Sequence, residues 1–133
     1  MGRQEEVRRQ EIRRQEIVKK VYKDLDKYAE KNEKDREEGK DSLFFNKVEG
    51  IVKTFDKEFE GTGIKIVDIG EEGIDYARDY IVNEANFLAN DLYDKEIGRG
   101  VLGETAIKYE DVYREELLYK IVEYVFIIGE NNQ

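Results

Sequence analysis

Apolar residues between Glu72 and Glu96 recur at steps of three and four, which is the period of an α-helix. The main face of this predicted helix contains Ile74, Ala77, Ile81, Ala85, Leu88 and Leu92, and a second apolar strip beside it contains Tyr76, Tyr80 and Phe87. Because such a helix is apolar over most of its circumference, we expect its neighbours to cover it and place it at the centre of the domain. Asp68 and Glu71 have the spacing of a capping box at its start.

Three further helices are predicted around this central one. The first runs without Gly or Pro from Arg3 to Glu38, and Gly39 is expected to end it. A second, amphipathic helix covers residues 43–60, with Asp41 or Ser42 as its N-cap and Gly50 as a weak point or a place of close approach. The last covers residues 105–128, with Gly129 at its C′ position and a disordered tail over residues 130–133.

Residues 64–69 form the one β-branched, partly alternating run of the chain. Such a run predicts a strand of a small ribbon or an extended loop. The predicted fold is therefore mainly α: a small bundle of about four helices around the helix over 72–96. It contains a long N-terminal helix or arm over 1–38 and a helical core over 39–133, with one short β-ribbon near 64–69 as an open alternative.

Composition removes several kinds of chemistry. The 133 residues include no Cys, His, Pro or Trp. The sequence therefore excludes disulfides, thiolate and Ser–His catalysis and zinc sites with histidine ligands. The abundance of Glu, Lys, Arg, Ile and Val resembles hyperthermophile proteins and suggests thermostability, although the lack of Pro fits this less well. A de novo designed sequence is an open alternative.

Charge is divided between the two ends of the chain. Residues 1–23 carry eight Lys or Arg and four Glu, whereas residues 41–133 carry ten Lys or Arg and twenty-one Asp or Glu. A basic arm on an acidic body favours pairing with another protein or another copy. The negative body argues against binding nucleic acid, except through the arm.

Aromatic and arginine side chains are the interface candidates, because tyrosine and arginine are enriched in protein interfaces. They are Tyr76, Tyr80, Phe87, Tyr119 and Tyr124, with Arg8, Arg9, Arg13 and Arg14 of the arm. For the tyrosines, a half-buried position at the core edge is an equally good interpretation. The N-terminal residues could also be a solvated helical extension that frays.

Two patterns point weakly to enzymatic chemistry. Glu72, Asp75 and Asp79 at the start of the predicted central helix are candidate magnesium ligands, and Asp91 and Asp94 lie near its end. These acidic pairs resemble those of all-α nucleotide pyrophosphatases. In that family the pairs come from different helices, whereas here they share one. Gly98, Gly100 and Gly103 match the dinucleotide pattern G-x-G-x-x-G. A long helix precedes them where that motif needs a strand, so an interhelical turn is favoured.

The function expected from these observations is non-enzymatic assembly, as in a coat or scaffold subunit, without a cofactor. Three alternatives remain open: an acidic inhibitor that mimics nucleic acid, a designed protein without natural function, and a magnesium-dependent all-α nucleotide hydrolase. The longest apolar run, Leu117 to Ile128, is short and interrupted by Lys120 and Glu123, and the N-terminus lacks a secretory h-region. We therefore expect a protein of the cytoplasm or of a particle, without a membrane partner.

Overall fold

A computed structural model describes residues 2–69 and 75–131. Within these residues it contains five α-helices and one 3₁₀ turn. They are α1 (Gly2–Glu37), α2 (Leu43–Glu58), the 3₁₀ turn (Ile66–Asp68), α3 (Asp75–Gly98), α4 (Glu104–Lys108) and α5 (Glu110–Asn131). The predicted all-α bundle with a long N-terminal helix is confirmed.

The connection between α1 and α2 follows the predicted turn chemistry. Gly39 has φ +77°, a conformation that glycine adopts without a Cβ penalty. The Lys40 N–H donates to the Asp35 carbonyl at 2.7 Å, which closes the α1 C-terminus. Ser42 caps α2, since its hydroxyl oxygen accepts from the Phe45 N–H at 3.3 Å.

The helix with the most neighbours is α5 rather than α3. It packs against α1, α2, α3, α4 and the 3₁₀ turn, whereas α3 packs mainly against α5 and α2. The predicted face of α3 is buried, including Ile81 and Leu88. Its second strip is not covered as expected, because Tyr76 is 56% exposed and Phe87 is 71% exposed. Tyr76 touches the end of α2 only through Phe59, at 5.8 Å between ring centroids, and Phe87 borders an open groove beside α2. The central position of the helix over 72–96 is thus corrected.

The run 64–69 contains a 3₁₀ turn, and the described residues contain no β-strand. The Asp68 carboxylate accepts a hydrogen bond from the Lys65 N–H at 2.9 Å. Asp68 therefore stabilises this turn instead of capping the central helix. Glu71, its proposed capping partner, lies outside the described residues.

The predicted last helix is divided at Tyr109, which has φ −121° and ψ 52° between α4 and α5. Gly129 is a buried residue inside α5 and does not occupy a C′ position. Glu130 and Asn131 continue the helix, so the expected disordered tail is wrong for these two residues. The physical reason is packing: the missing side chain of Gly129 lets α5 approach Ile66, which is fully buried.

Candidate functional site

The first part of α1 extends from the bundle as an arm, defined here as residues 2–16. All of these residues are exposed, including the predicted interface arginines Arg8, Arg9, Arg13 and Arg14. At 1.5 Å per residue the arm is about 21 Å long. It meets the body where the Arg14 guanidinium approaches the Glu115 carboxylate at 3.6 Å.

Two apolar side chains of the arm are unusually open to solvent. Val7 is 50% exposed and Ile12 is 55% exposed. Val7 precedes the buried Leu25 by eighteen residues, which is five full turns of an α-helix. Val7 therefore lies on the side of α1 that packs on the bundle, but beyond the surface that the same chain supplies, whereas Ile12 is rotated by about 140° from Val7 around the helix.

The positive charge of the N-terminal region is concentrated near the base of the arm. Residues 2–16 contain five arginines and four glutamates, so the arm itself is nearly neutral. Lys19, Lys20 and Lys23 follow directly and are exposed. An acidic partner would therefore meet most of the excess positive charge where the arm joins the body.

A groove of about 370 Å³ lies between α2 and α3. Phe87, which is 71% exposed, forms part of its wall, and Gly50 leaves space on the opposite helix. A methyl group at Gly50 would meet no atom within 4 Å, so close helix approach does not explain this glycine. Glu84 and Asp91 contribute negative charge to the groove, and Lys47 contributes one positive charge.

The five aromatic interface candidates divide into two groups. Tyr76, Phe87 and Tyr119 are exposed. Tyr80 packs edge-on against Phe59 at 5.6 Å between ring centroids, and Tyr124 makes the same contact with Phe44 and Phe45 at 5.4 and 5.3 Å. Tyr80 and Tyr124 thus take the core-edge position that the spacing also allowed.

The candidate magnesium ligands are not brought together with other acids. Asp75 and Asp79 are exposed, and Glu72 lies outside the described residues. At the other end of α3, Asp91 pairs with Lys95 at 3.0 Å and Asp94 pairs with Arg114 at 2.7 Å. Across residues 2–69 and 75–131, no group of three or more Asp, Glu, His or Cys is arranged to hold a metal ion.

Glu96 is a buried acid that the sequence interpretation missed. It is 3% exposed, and its carboxylate accepts from the Tyr28 hydroxyl at 3.0 Å and from the Arg99 guanidinium at 3.2 Å. Burial, followed by the charge of Glu96, raises the pKa of Tyr28. The sequence does contain one indication that Glu96 is buried. It lies four residues after Leu92, where the apolar stripe of α3 would continue with another buried residue.

Comparison with protein families, with curated proteins and with solved structures finds no match to this chain. Among the described residues, no helix has the length and apolar character needed to cross a membrane. Function is therefore inferred from the residues themselves.

Proposed function

We propose that this protein is a non-enzymatic assembly subunit whose N-terminal arm docks on the acidic body of another copy. The observation that carries the proposal is the exposed arm with Val7 and Ile12 half open to solvent. A short helix in water gains little stability by itself, and most helices in proteins depend on packing of an apolar face. A second copy would supply that packing for the arm.

Charge supports the same arrangement. Residues 1–23 have a net charge of +4 and residues 41–133 have a net charge of −11. The outer face of α3 carries Asp75 and Asp79, and the groove beside it carries Glu84 and the exposed Phe87. This groove offers the arm an apolar contact for Val7 or Ile12 next to carboxylates for its arginines.

A contact between the arm of one copy and the body of the next uses two different surfaces. Such a heterologous contact generates a ring when the rotation closes and a filament when it does not. The proposal therefore predicts assemblies larger than a dimer, whose mass rises with concentration. Because the charged contacts are exposed, added salt should lower that mass.

Light scattering coupled to size exclusion, across concentration and salt series, tests the proposal. The double variant V7S/I12S should shift the chain toward a monomer. The matched control V67S/I107S removes one exposed Val and one exposed Ile from the body and should keep the wild-type mass. A monomeric wild-type chain at high concentration and low salt would refute assembly.

An acidic inhibitor of a nucleic-acid-binding protein is the second candidate. The exposed acids of α3, Asp75 and Asp79, are the observation that favours it, since they resemble a row of phosphates in charge. It predicts a discrete complex with a basic partner that DNA displaces. Unchanged mass on mixing with basic DNA-binding proteins, measured by the same light scattering, would count against it.

A further inference from the structure

A cavity of about 270 Å³ lies between α1, the turn after α3 and the start of α5. The end of α3 shapes one wall: Gly100 has φ +70°, and the Val101 N–H donates to the Glu96 carbonyl at 3.0 Å. This turn contains the glycine pattern noted in the sequence, and Gly103 lines the cavity. This cavity shares no lining residue with the arm or with the groove between α2 and α3.

Tyr113 places a polar atom at this cavity. Its side chain is 2% exposed and lines the cavity, and its hydroxyl takes part in none of the side-chain hydrogen bonds found among the described residues. Because no fully buried side-chain oxygen of those residues lacks a partner, this hydroxyl reaches the solvent of the cavity. The neighbouring Tyr93 differs, because its hydroxyl donates to the Ala106 carbonyl at 2.8 Å. Burial, followed by the charge of Asp24, raises the pKa of Tyr113, so its hydroxyl remains a donor at neutral pH. Such a hydroxyl is placed to donate a hydrogen bond to a ligand in the cavity.

Two lysines line the opposite wall. Lys27 and Lys31 are spaced four residues apart on α1, so they project from the same side of the helix. Neither forms an ion pair with the residues that the structure describes. Among the described residues, Asp24 is the one acid that lines the cavity, so its lining side chains have a net charge of +1 on a chain of net charge −9.

The turn adds backbone donors. In the described part of the chain, the N–H groups of Leu102 and Gly103 have no backbone acceptor. A methyl group at Gly103 would meet no atom within 4 Å, so this part of the backbone faces open space. Free backbone amides and lysine ammonium groups are the usual partners of phosphate oxygens.

We propose that this cavity binds a small phosphate-bearing anion through Lys27, Lys31, the Tyr113 hydroxyl and the amides of Leu102 and Gly103. Its volume is below the range of pockets that hold drug-sized ligands, which favours free phosphate or a small phosphate ester over a nucleotide. The site does not depend on assembly, so a monomeric chain binds equally well.

An NMR titration of the full chain with inorganic phosphate, at constant ionic strength, tests the site. The amide signals of Leu102, Gly103 and Tyr113 should shift and saturate. The variant K27Q/K31Q should bind about tenfold or more weakly, the effect of losing hydrogen bonds to a charged group. The variant Y113F should weaken binding severalfold and leave the other amide signals in place, which shows that the fold is intact.

A matched control separates the site from general attraction to lysines. Lys53 and Lys57 are exposed and also spaced four apart, on α2, so K53Q/K57Q removes the same charge and should leave the affinity unchanged. Equal weakening in the two double variants, or shifts that never saturate, would overturn the proposal. Acetate that bound as tightly as phosphate would overturn the phosphate assignment.

Discussion

Gly50 and Gly129 both lie inside helices, yet we predict that alanine changes stability with opposite sign at the two positions. A Cβ at Gly50 would have no atom within 4 Å. A Cβ at Gly129 would lie 2.7 Å from Ile66 Cγ2, 2.8 Å from its Cδ1 and 2.9 Å from its Cβ. Real Cβ contacts essentially never fall below 3.0 Å, so atoms around Gly129 must move.

The change in the free energy of unfolding follows from two opposing effects, the helix propensity of alanine and the space available for its methyl group. Replacing a helical glycine with alanine, where the added methyl group has room, stabilises a helix by about 0.5–1 kcal/mol, which is the expected gain for G50A. At Gly129 the same gain is opposed by overpacking, which costs about 1–3 kcal/mol. Rotation of the Ile66 side chain cannot relieve the contact with its Cβ, so the 3₁₀ turn itself must shift. We expect G129A to lose about 1–2 kcal/mol net.

Equilibrium unfolding in urea, followed by circular dichroism, measures both changes. The variant I66A removes two of the three close atoms and should reduce the cost of G129A. A double-mutant cycle of G129A and I66A should then show a coupling of about 1 kcal/mol or more. If G129A were as stable as G50A, the inference that α5 needs a glycine to reach the 3₁₀ turn would be wrong.

Three further predictions concern the core and its buried polar groups. Leu88→Ala should lower the free energy of unfolding by about 2–5 kcal/mol, whereas Phe87→Ala should change it by less than about 0.5 kcal/mol; urea titration distinguishes them. Glu96→Ala removes the acceptor of the buried Tyr28 hydroxyl and should cost about 1–3 kcal/mol in thermal unfolding, more than Glu96→Gln, which keeps an acceptor. The raised pKa values of Tyr28 and Tyr113 give full stability below about pH 10 and a loss above it, because the unfolded state then releases protons that the folded state retains. Urea midpoints that stay constant on raising the pH through this range would contradict that reasoning.

Periodicity predicts the helices well because burial of one face is a local property of the sequence. The residues of the main α3 face that the structure describes, such as Ile81 and Leu92, are buried as their spacing indicates. The same reasoning could not identify which helix lies at the centre. The width of the apolar surface of a helix indicates how much of its area favours burial. Whether that area is covered depends on the positions of the other helices, and here the Phe87 side chain remains exposed to solvent.

The exposure of the arm could be predicted because its apolar residues recur every five positions. Side chains at this spacing do not share one face of a helix, so they cannot all pack on the bundle. Glu96 was harder to interpret, since its burial depends on Tyr28, which is 68 residues away in the chain. The cavity beside Tyr113 is likewise formed by residues from α1, the glycine turn and α5. No spacing rule brings Lys27 near Gly103, whereas packing of the helices does.

Glu96 connects the fold to the proposed phosphate site. Its carbonyl accepts the Val101 N–H, which fixes the turn after α3, and its carboxylate binds the Tyr28 hydroxyl of α1. One residue thus joins the two walls of the cavity without lining it. A buried carboxylate with two partners resists displacement, since breaking either contact leaves an incompletely paired charge on a residue that is only 3% exposed. The glycines allow the backbone conformation of the turn after α3, and Glu96 fixes the position of this turn relative to α1.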